Sequence, residues 1–509
     1  MHVEREIKFH LSPDAARRLS RHVRPAGPWR RRTLSSVYYD TREGRLRRAG
    51  FALRLRRDGA RRVQTLKAEG GAGGAFTARA EWEMPAPRGR LDVEAFPREE
   101  ILAATGLDIG ALAPQLRPVF ETRFGRRAAM VSVDGATRAE IAVDRGTITA
   151  GARREPIDEL EVELKAGDAA AMLRYAAGLA EPLGLALAFE SKAERGYRLT
   201  AGEAAPEPQK WRRPALPNLA TPAEAFAALF SAALAQVGEN ARGVARAGDP
   251  EYLHQMRVGL RRLRSALIAF RDLVPRKAAK PLVRRLRQLM PPLGDARDWD
   301  VFCGNLVRLG TQAPSRAPAI ARLLARARAR RAAARKRARE AAASRQLQSF
   351  LMDALVWIHL APWTARAARA EGAFAPFAAN ALQHLHRKAL KQADGIDWRD
   401  ARRRHRLRIR VKRLRYACDF FADVFAGAAV RPYIKSLAAL QDVLGDLNDV
   451  AVARSLLAQL APRGAAVGVL EAAGYVRHAL AARERQLIAA LGPAWAAFEK
   501  RRVFWKPRA

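Results

Sequence analysis

An internal repeat constrains this chain more than any other feature. His254, Arg257, Arg261 and Arg264 recur as His405, Arg408, Lys412 and Arg415, an offset of 151 residues. Leu293, Gly294, Asp295 and Asp298 recur as Leu444, Gly445, Asp446 and Asp449 at the same 151. Two matches at one spacing, with no net insertion between them, predict duplication of one structural unit. From 221 onward the chain is rich in Ala, Leu and Arg, its apolar residues recur with a helical period, and no strand pattern interrupts it. The unit is therefore expected to be a helical bundle, present twice.

On a helical wheel His254, Arg257, Arg261 and Arg264 fall within about 80° of one another, with Met256, Leu260, Leu263 and Leu267 opposite. The second copy sets His405, Arg408, Lys412 and Arg415 against Leu407, Val411, Leu414 and Cys418. Like charges stacked at these spacings repel, so an anion is expected to offset them. Arg forks and His donors match phosphate oxygens. Neither stripe contains an aromatic stacking platform and no groove-entering motif is present, which disfavours nucleic acid. A bare phosphate chain needs only cations. The segment 316–339, with ten basic residues and no acidic one, reads as a solvated helix face. The Gly-Asp pairs at 294–295 and 445–446 read as helix caps or as groups that orient Arg.

The first 200 residues read differently. Strand patterns fall at 3–10, 35–40, 51–57, 62–68, 76–84, 119–124, 128–134, 138–144 and 158–165, with turn signals such as Gly70–Gly74 between them. Helices are predicted at 13–22, 97–105 and 168–183. Charge sits on the strand face where a soluble sandwich would be apolar, as in 158–165, where Glu159, Glu161, Glu163 and Lys165 alternate with Leu160, Val162 and Leu164. An antiparallel barrel with a charged interior uses both faces. Pro206, Pro208, Pro214 and Pro217 mark a linker over 202–218, giving domains at 1–201 and 219–509, the latter split near 365 and 370.

Charge separates the halves as well. Residues 1–202 carry 36 basic and 27 acidic side chains, and residues 203–509 carry 56 and 24. Such a field concentrates polyanions. Cys303 and Cys418 are the two cysteines and lack metal-ligand spacing, so a disulfide framework is excluded. Charge from Glu4 onward leaves no secretory leader, and no apolar run reaches membrane-spanning length. A cytoplasmic protein is expected, with polyphosphate granules as one location.

Strand alternation places Glu4, Glu6 and Lys8 on one face of the first strand and Val3, Ile7 and Phe9 on the other. Two carboxylates suit a hard cation such as Mg²⁺ or Mn²⁺, and the ammonium suits a phosphoryl oxygen.

These residues carry two resemblances. Glu4-Arg5-Glu6-Ile7-Lys8 resembles the hallmark of the CYTH domain of triphosphate tunnel metalloenzymes. Arg54 and Arg56, Lys67, Arg79 with Glu81 and Glu83, Thr122-Arg123, Asp144, Glu161 with Glu163, and Ser191-Lys192 follow in the same order. The stripes resemble the CHAD domain, two pseudo-symmetric four-helix bundles associated with inorganic polyphosphate. The resemblance implies that Glu4, Glu6, Glu161 and Glu163 hold Mg²⁺ or Mn²⁺. It implies that Glu4, Glu6 and Lys8 are catalytic, and that Lys8, Arg54, Arg56, Lys67, Arg79, Arg123 and Lys192 grip inorganic triphosphate from several strands. The eight stripe residues would bind polyphosphate. The expected activity is metal-dependent hydrolysis of inorganic triphosphate to pyrophosphate and phosphate. Its alternatives are a non-catalytic polyphosphate-binding protein and a hydrolase of an organic triphosphate such as thiamine triphosphate or a nucleotide.

Overall fold

The computed structural model describes residues 2–68, 75–203, 206–214, 221–246, 248–360, 374–425 and 427–505. The glycine-rich turn at 70–74, Pro217 and the junction between the two repeats lie outside the described residues. The chain divides into two compact units. The first comprises Met1–Ala215, Leu234–Glu239 and Ser344–Ala361, and the second comprises the remainder.

In the first unit the strands are β1 (His2–His10), β2 (Arg30–Asp40), β3 (Phe51–Asp58), β4 (Arg61–Ala68), β5 (Phe76–Pro85), β6 (Arg117–Ser132), β7 (Arg138–Ala150), β8 (Arg153–Ala166) and β9 (Ala186–Leu187). They run in the order β5-β4-β3-β2-β6-β7-β8-β1-β9, and β1 also pairs with β5. That extra pairing closes an eight-stranded antiparallel barrel. The closing strand is the one that carries Glu4, Glu6 and Lys8: residues 2–7 pair with β5 and residues 6–10 with β8. The two strand segments expected at 119–124 and 128–134 are one continuous strand, because Gly125 passes through the ladder opposite Arg145 without a turn.

Helices of this unit are α1 (Pro13–Arg18), α2 (Arg45–Arg48), α3 (Arg98–Thr105), α4 (Ile109–Leu112), α5 (Ala169–Leu183) and α6 (Lys192–Thr200). Phe51, Leu53, Leu66 and Trp82 form an outward-facing core with Ile101, Ile109 and Leu112 of α3 and α4. A second core lies inside the barrel at one end. Leu34, Tyr38, Phe120, Phe124, Ile148 and Ile157 share the inward parity of their strands and pack on Ala193, Tyr197 and Leu199 of α6. A Cβ on Gly196 would stand 2.1 Å from the Phe120 ring, so glycine is what lets α6 seat this deeply. The interior is thus charged over part of its length and apolar over the rest.

The helical segment supplies α7 (Pro222–Arg246), α8 (Pro250–Ala269), α9 (Arg276–Gln312), α10 (Ala317–Ala343), α11 (Arg345–Leu360), α12 (Phe374–Ala393), α13 (Ala401–Phe421), α14 (Val430–Leu460) and α15 (Val467–Glu499). Besides Leu234–Glu239 of α7, the whole of α11 belongs to the first unit: it packs on α5 and β9 and buries Leu347, Phe350, Leu351 and Leu355. The first unit therefore extends beyond the boundary at 201 expected from composition. No described helix is long and apolar enough to cross a membrane.

In the second unit the duplication is visible in the caps. Asp249 caps α8 through the Glu251 N–H, and Asp400, 151 residues on, caps α13 through the Arg402 and Arg403 N–H groups. The Gly-Asp pairs are not caps. They lie inside α9 and α14, where Asp295 accepts from Arg337 and Asp446 from Arg483, each at 2.7 Å. The alternative that they orient Arg is the one observed.

Candidate active site

Alternation along β1 turns Glu4, Glu6 and Lys8 into the barrel while Ile7 and Phe9 are fully buried on the opposite face. The interior cavity is lined by these three and by Arg54, Arg56, Lys67, Arg79, Arg126, Glu161, Glu163 and Lys192. Seven cations thus face four carboxylates, and Tyr38 is the single aromatic ring among the described lining residues.

Cross-strand register decides who pairs with whom. Lys8 lies opposite Glu161 and Glu6 opposite Glu163. Lys8 Nζ stands 2.7 Å from Glu6 and 3.7 Å from Glu161. Lys67 Nζ reaches Glu4 at 2.6 Å and Glu81 at 3.3 Å, and Arg54 approaches Glu81 at 3.6 Å. Arg126 forms a two-pronged pair with Asp144 at 2.8 and 2.7 Å and also donates to Glu161. Lys192 donates to Glu159 at 2.6 Å and Glu161 at 2.7 Å, with Asp144 at 2.9 Å.

Burial alone would push these groups toward neutrality, but their partners outweigh it. Against burial, Lys192, Arg126 and Lys8 hold the Glu161 carboxyl well below the usual range. Against burial, Asp144, Glu159 and Glu161 hold the Lys192 ammonium well above its usual value. Arg56 is the exception. Burial, then Arg54 and Arg126, push its guanidinium down to about 10. Its recorded partner is the Ser36 hydroxyl at 3.2 Å, and no carboxylate pairs with it among the described residues.

In the second unit the two basic stripes meet. Helix α8 packs on α13, Arg261 donates to the Tyr416 hydroxyl at 3.2 Å, and the Arg262 guanidinium lies 5.4 Å over the Tyr416 ring. Burial, then Arg408, Arg261 and Arg257, against Asp449, press the Lys412 ammonium down to about 7. Burial with Arg261 and Arg297, against Asp298, brings Arg257 down to about 10. Cations from both copies therefore lie close to one another where α8 packs on α13, and Asp298 and Asp449 do not offset their repulsion at Arg257 and Lys412. His405 is exposed.

Two family models match this chain: CYTH domain over residues 2–197 and CHAD domain over residues 228–458. A solved CHAD domain from the plant Ricinus communis is 34% identical at a TM-score of 0.51, covering 58% of this chain and 97% of that one. The chain belongs to the CHAD family and carries a CYTH domain before it. An inorganic triphosphatase from Haemophilus influenzae is 27% identical over 203 residues, 38% of this chain and 54% of that protein. The match therefore spans about half the length of that relative. CHAD domains are associated with polyphosphate binding, and CYTH tunnel domains are generally metal-dependent.

Within the CYTH barrel most of the expected site residues converge: Glu4, Glu6, Lys8, Arg54, Arg56, Lys67, Arg79, Glu161, Glu163 and Lys192 all line one cavity. Arg123 does not. It is exposed on the outer face, because Phe120, Thr122 and Phe124 take the inward parity, and Arg126 is the β6 guanidinium that enters the cavity. Lys192 comes from the first turn of α6 rather than from a strand. Ser191 and Glu194 form a reciprocal capping box there, a signal present in the sequence and not used. Glu159 and Arg195, which buttress Lys192, were also missed. Should the barrel hydrolyse triphosphate, as proposed below, Arg126→Ala is expected to lower that activity by about a hundredfold, in line with loss of a charge-stabilising donor. Arg123→Ala should leave activity within about twofold. Equal losses in steady-state assays of the two variants would reverse the assignment.

No group of three carboxylate, His or Cys side chains converges on one point among the described residues. Glu6 and Glu163 are direct cross-strand partners, and such like charges repel. Burial raises the Glu163 carboxyl, Lys165 opposes that at 2.5 Å, and Glu4 and Glu6 add to the rise. An all-oxygen set of Glu4, Glu6 and Glu163 fits a hard divalent ion chemically, provided the side chains turn from their lysine partners. Glu161 fits less well, since three cations already surround it.

Proposed function

We propose that the CYTH barrel hydrolyses inorganic triphosphate with the aid of Mg²⁺ or Mn²⁺, and that the CHAD cleft binds inorganic polyphosphate. The observation that carries this reading is the convergence of seven cations on one cavity whose described lining holds a single aromatic ring. Tripolyphosphate brings roughly four to five negative charges near neutral pH. It can replace carboxylates as the partner of Lys8, Arg54, Lys67 and Arg126, and Arg56 pairs with no carboxylate among the described residues. A nucleotide base or thiazole ring would find only Tyr38 to stack on among the described lining residues.

A divalent ion on Glu4, Glu6 and Glu163 would neutralise phosphoryl oxygens and lower the pKa of water bound to it. The chain's own groups do the rest. Lys8 and the arginines fix the phosphate chain from several strands, so that positioning and charge neutralisation carry the displacement. The Asp144, Glu159 and Glu161 cage keeps Lys192 protonated at the tunnel wall. Apolar packing of α6 keeps water from that end of the barrel.

The test is phosphate release from tripolyphosphate, ATP and thiamine triphosphate with Mg²⁺ or Mn²⁺, before and after chelation. Tripolyphosphate should turn over fastest and chelation should abolish it. Equal rates on ATP would remove the inorganic specificity, and no turnover of any substrate would leave a binding protein.

A further inference from the structure

Where α8 packs on α13, one arginine pairing occurs twice with the copies exchanged. At one corner Arg262 of α8 faces Arg415 of α13, and at the other Arg413 of α13 faces Arg264 of α8. Arg262 matches Arg413, and Arg264 matches Arg415, at the offset of 151. Duplication alone would make the two corners alike. They differ in what answers the charge.

The first corner is neutralised. Asp419 stands 3.8 Å from Arg262 and 3.4 Å from Arg415, and the Arg262 guanidinium lies 5.4 Å over the Tyr416 ring. At the second corner Ile268 and Ser265 take the places of Asp419 and Tyr416. No carboxylate lies within ion-pair distance of Arg264 or Arg413 among the described residues. More cations join them instead: Arg410 of α13, where α8 has Gly259, and Lys388 of α12. Neither of these has a carboxylate partner among the described residues. Burial, then Arg410 and Arg264, lower the Arg413 guanidinium, and burial, then Arg271, Arg410, Arg276 and Arg413, lower the Lys388 ammonium. Arg271 is already partnered, standing 3.4 Å from Asp272 and donating through Nη2 to His384 Nδ1 at 3.3 Å.

Arg264, Arg413, Arg410 and Lys388 are all half-buried and come from three helices. On a solvated face such side chains would spread into water. Here neighbouring helices hold them together, and like charges held together without an anion repel.

We propose that a polyphosphate chain bound between α8 and α13 leaves the cleft in one direction only, past Arg264 and Arg413 and onto Arg410 and Lys388. On the polyphosphate reading of the cleft, on which this rests, binding is asymmetric despite the duplicated scaffold. Long chains gain contacts that short ones cannot reach. Asp419 opposes phosphate oxygens at the closed corner, whereas the open corner offers them guanidinium and ammonium donors.

Long-chain polyphosphate binding to the full chain, measured over a salt series, tests the path. Lys388→Ala with Arg410→Ala should weaken binding at least about tenfold and lower the log–log salt slope by about one to two units. Lys388→Gln with Arg410→Gln, which keeps the apolar stems, decides the matter if the alanine pair misfolds. Asp419→Asn should strengthen binding about twofold to fivefold, by freeing Arg262 and Arg415 at the closed corner. Arg328→Ala with Arg331→Ala on α10 removes as much charge and should change binding by less than about twofold. An equal loss in that α10 pair overturns the path, and weaker binding in Asp419→Asn overturns its direction. Loss in Arg257→Ala with Arg408→Ala, beside unchanged affinity and slope in the Lys388 and Arg410 pairs, overturns the path and leaves the cleft standing. Absence of binding by the unaltered chain overturns the cleft reading itself and the path with it.

Discussion

Glu4→Ala is expected to lower tripolyphosphate turnover by about a hundredfold to a thousandfold at saturating substrate, with long-chain polyphosphate binding by the same full-length variant unchanged. Glu4 is 9% exposed and holds Lys67 at 2.6 Å. Its carboxyl stays below the usual range although burial and Glu81 push it up, because Lys67 and Lys8 outweigh them. Removing it deletes one of three carboxylates offered to the divalent ion and leaves Lys67 with Glu81 alone at 3.3 Å. The first loss should appear as a metal requirement shifted upward about tenfold or more. The second should appear in KM, as Lys67 is freed to bind phosphate more tightly. A metal titration with the KM and kcat split separates the two. A variant with more than a tenth of the original kcat and an unchanged metal requirement would take Glu4 out of the cation site.

The second large effect is a pH dependence of polyphosphate binding. Lys412 sits at about 7 in the free cleft, pressed down by burial and by Arg408, Arg261 and Arg257, against Asp449. A phosphate chain in the cleft supplies the missing anions and restores the ammonium, so the complex holds one more proton than the free protein above pH 7. Affinity should therefore fall as pH rises from 7 to 9, by up to about tenfold per unit. Below pH 7 the lysine is already charged in the free cleft and the dependence should flatten. Lys412→Arg, charged throughout, should remove the slope. Arg257→Ala with Arg408→Ala should reduce the salt dependence by about one to two units of log–log slope. An affinity that stays flat from pH 7 to 9 in the unaltered chain would place Lys412 away from the bound anion.

Local periodicity explains which expectations survive. The inward face of β1 follows from the two-residue alternation of Val3 through Phe9, and the stripes follow from the helical period of 254–264 and 405–415. The spacing of 151 needs no three-dimensional information, and the caps Asp249 and Asp400 extend it. Arg123 was expected at the site through the CYTH resemblance, but α6 fills that end of the barrel with apolar side chains. There Phe120 and Phe124 face in, and Arg126, two residues beyond Phe124, is the first cation on that face to reach the charged cavity.

The sequence by itself determined two kinds of domain, their duplication and most of the charged side chains that meet in the barrel, because each is written in near-neighbour spacing. Only the tertiary structure decided that α11 belongs with the barrel and that Glu161 is enclosed by Lys192, Arg126 and Lys8. Those outcomes depend on which surfaces bury one another across long stretches of chain, and burial sets the strength of every charge it encloses.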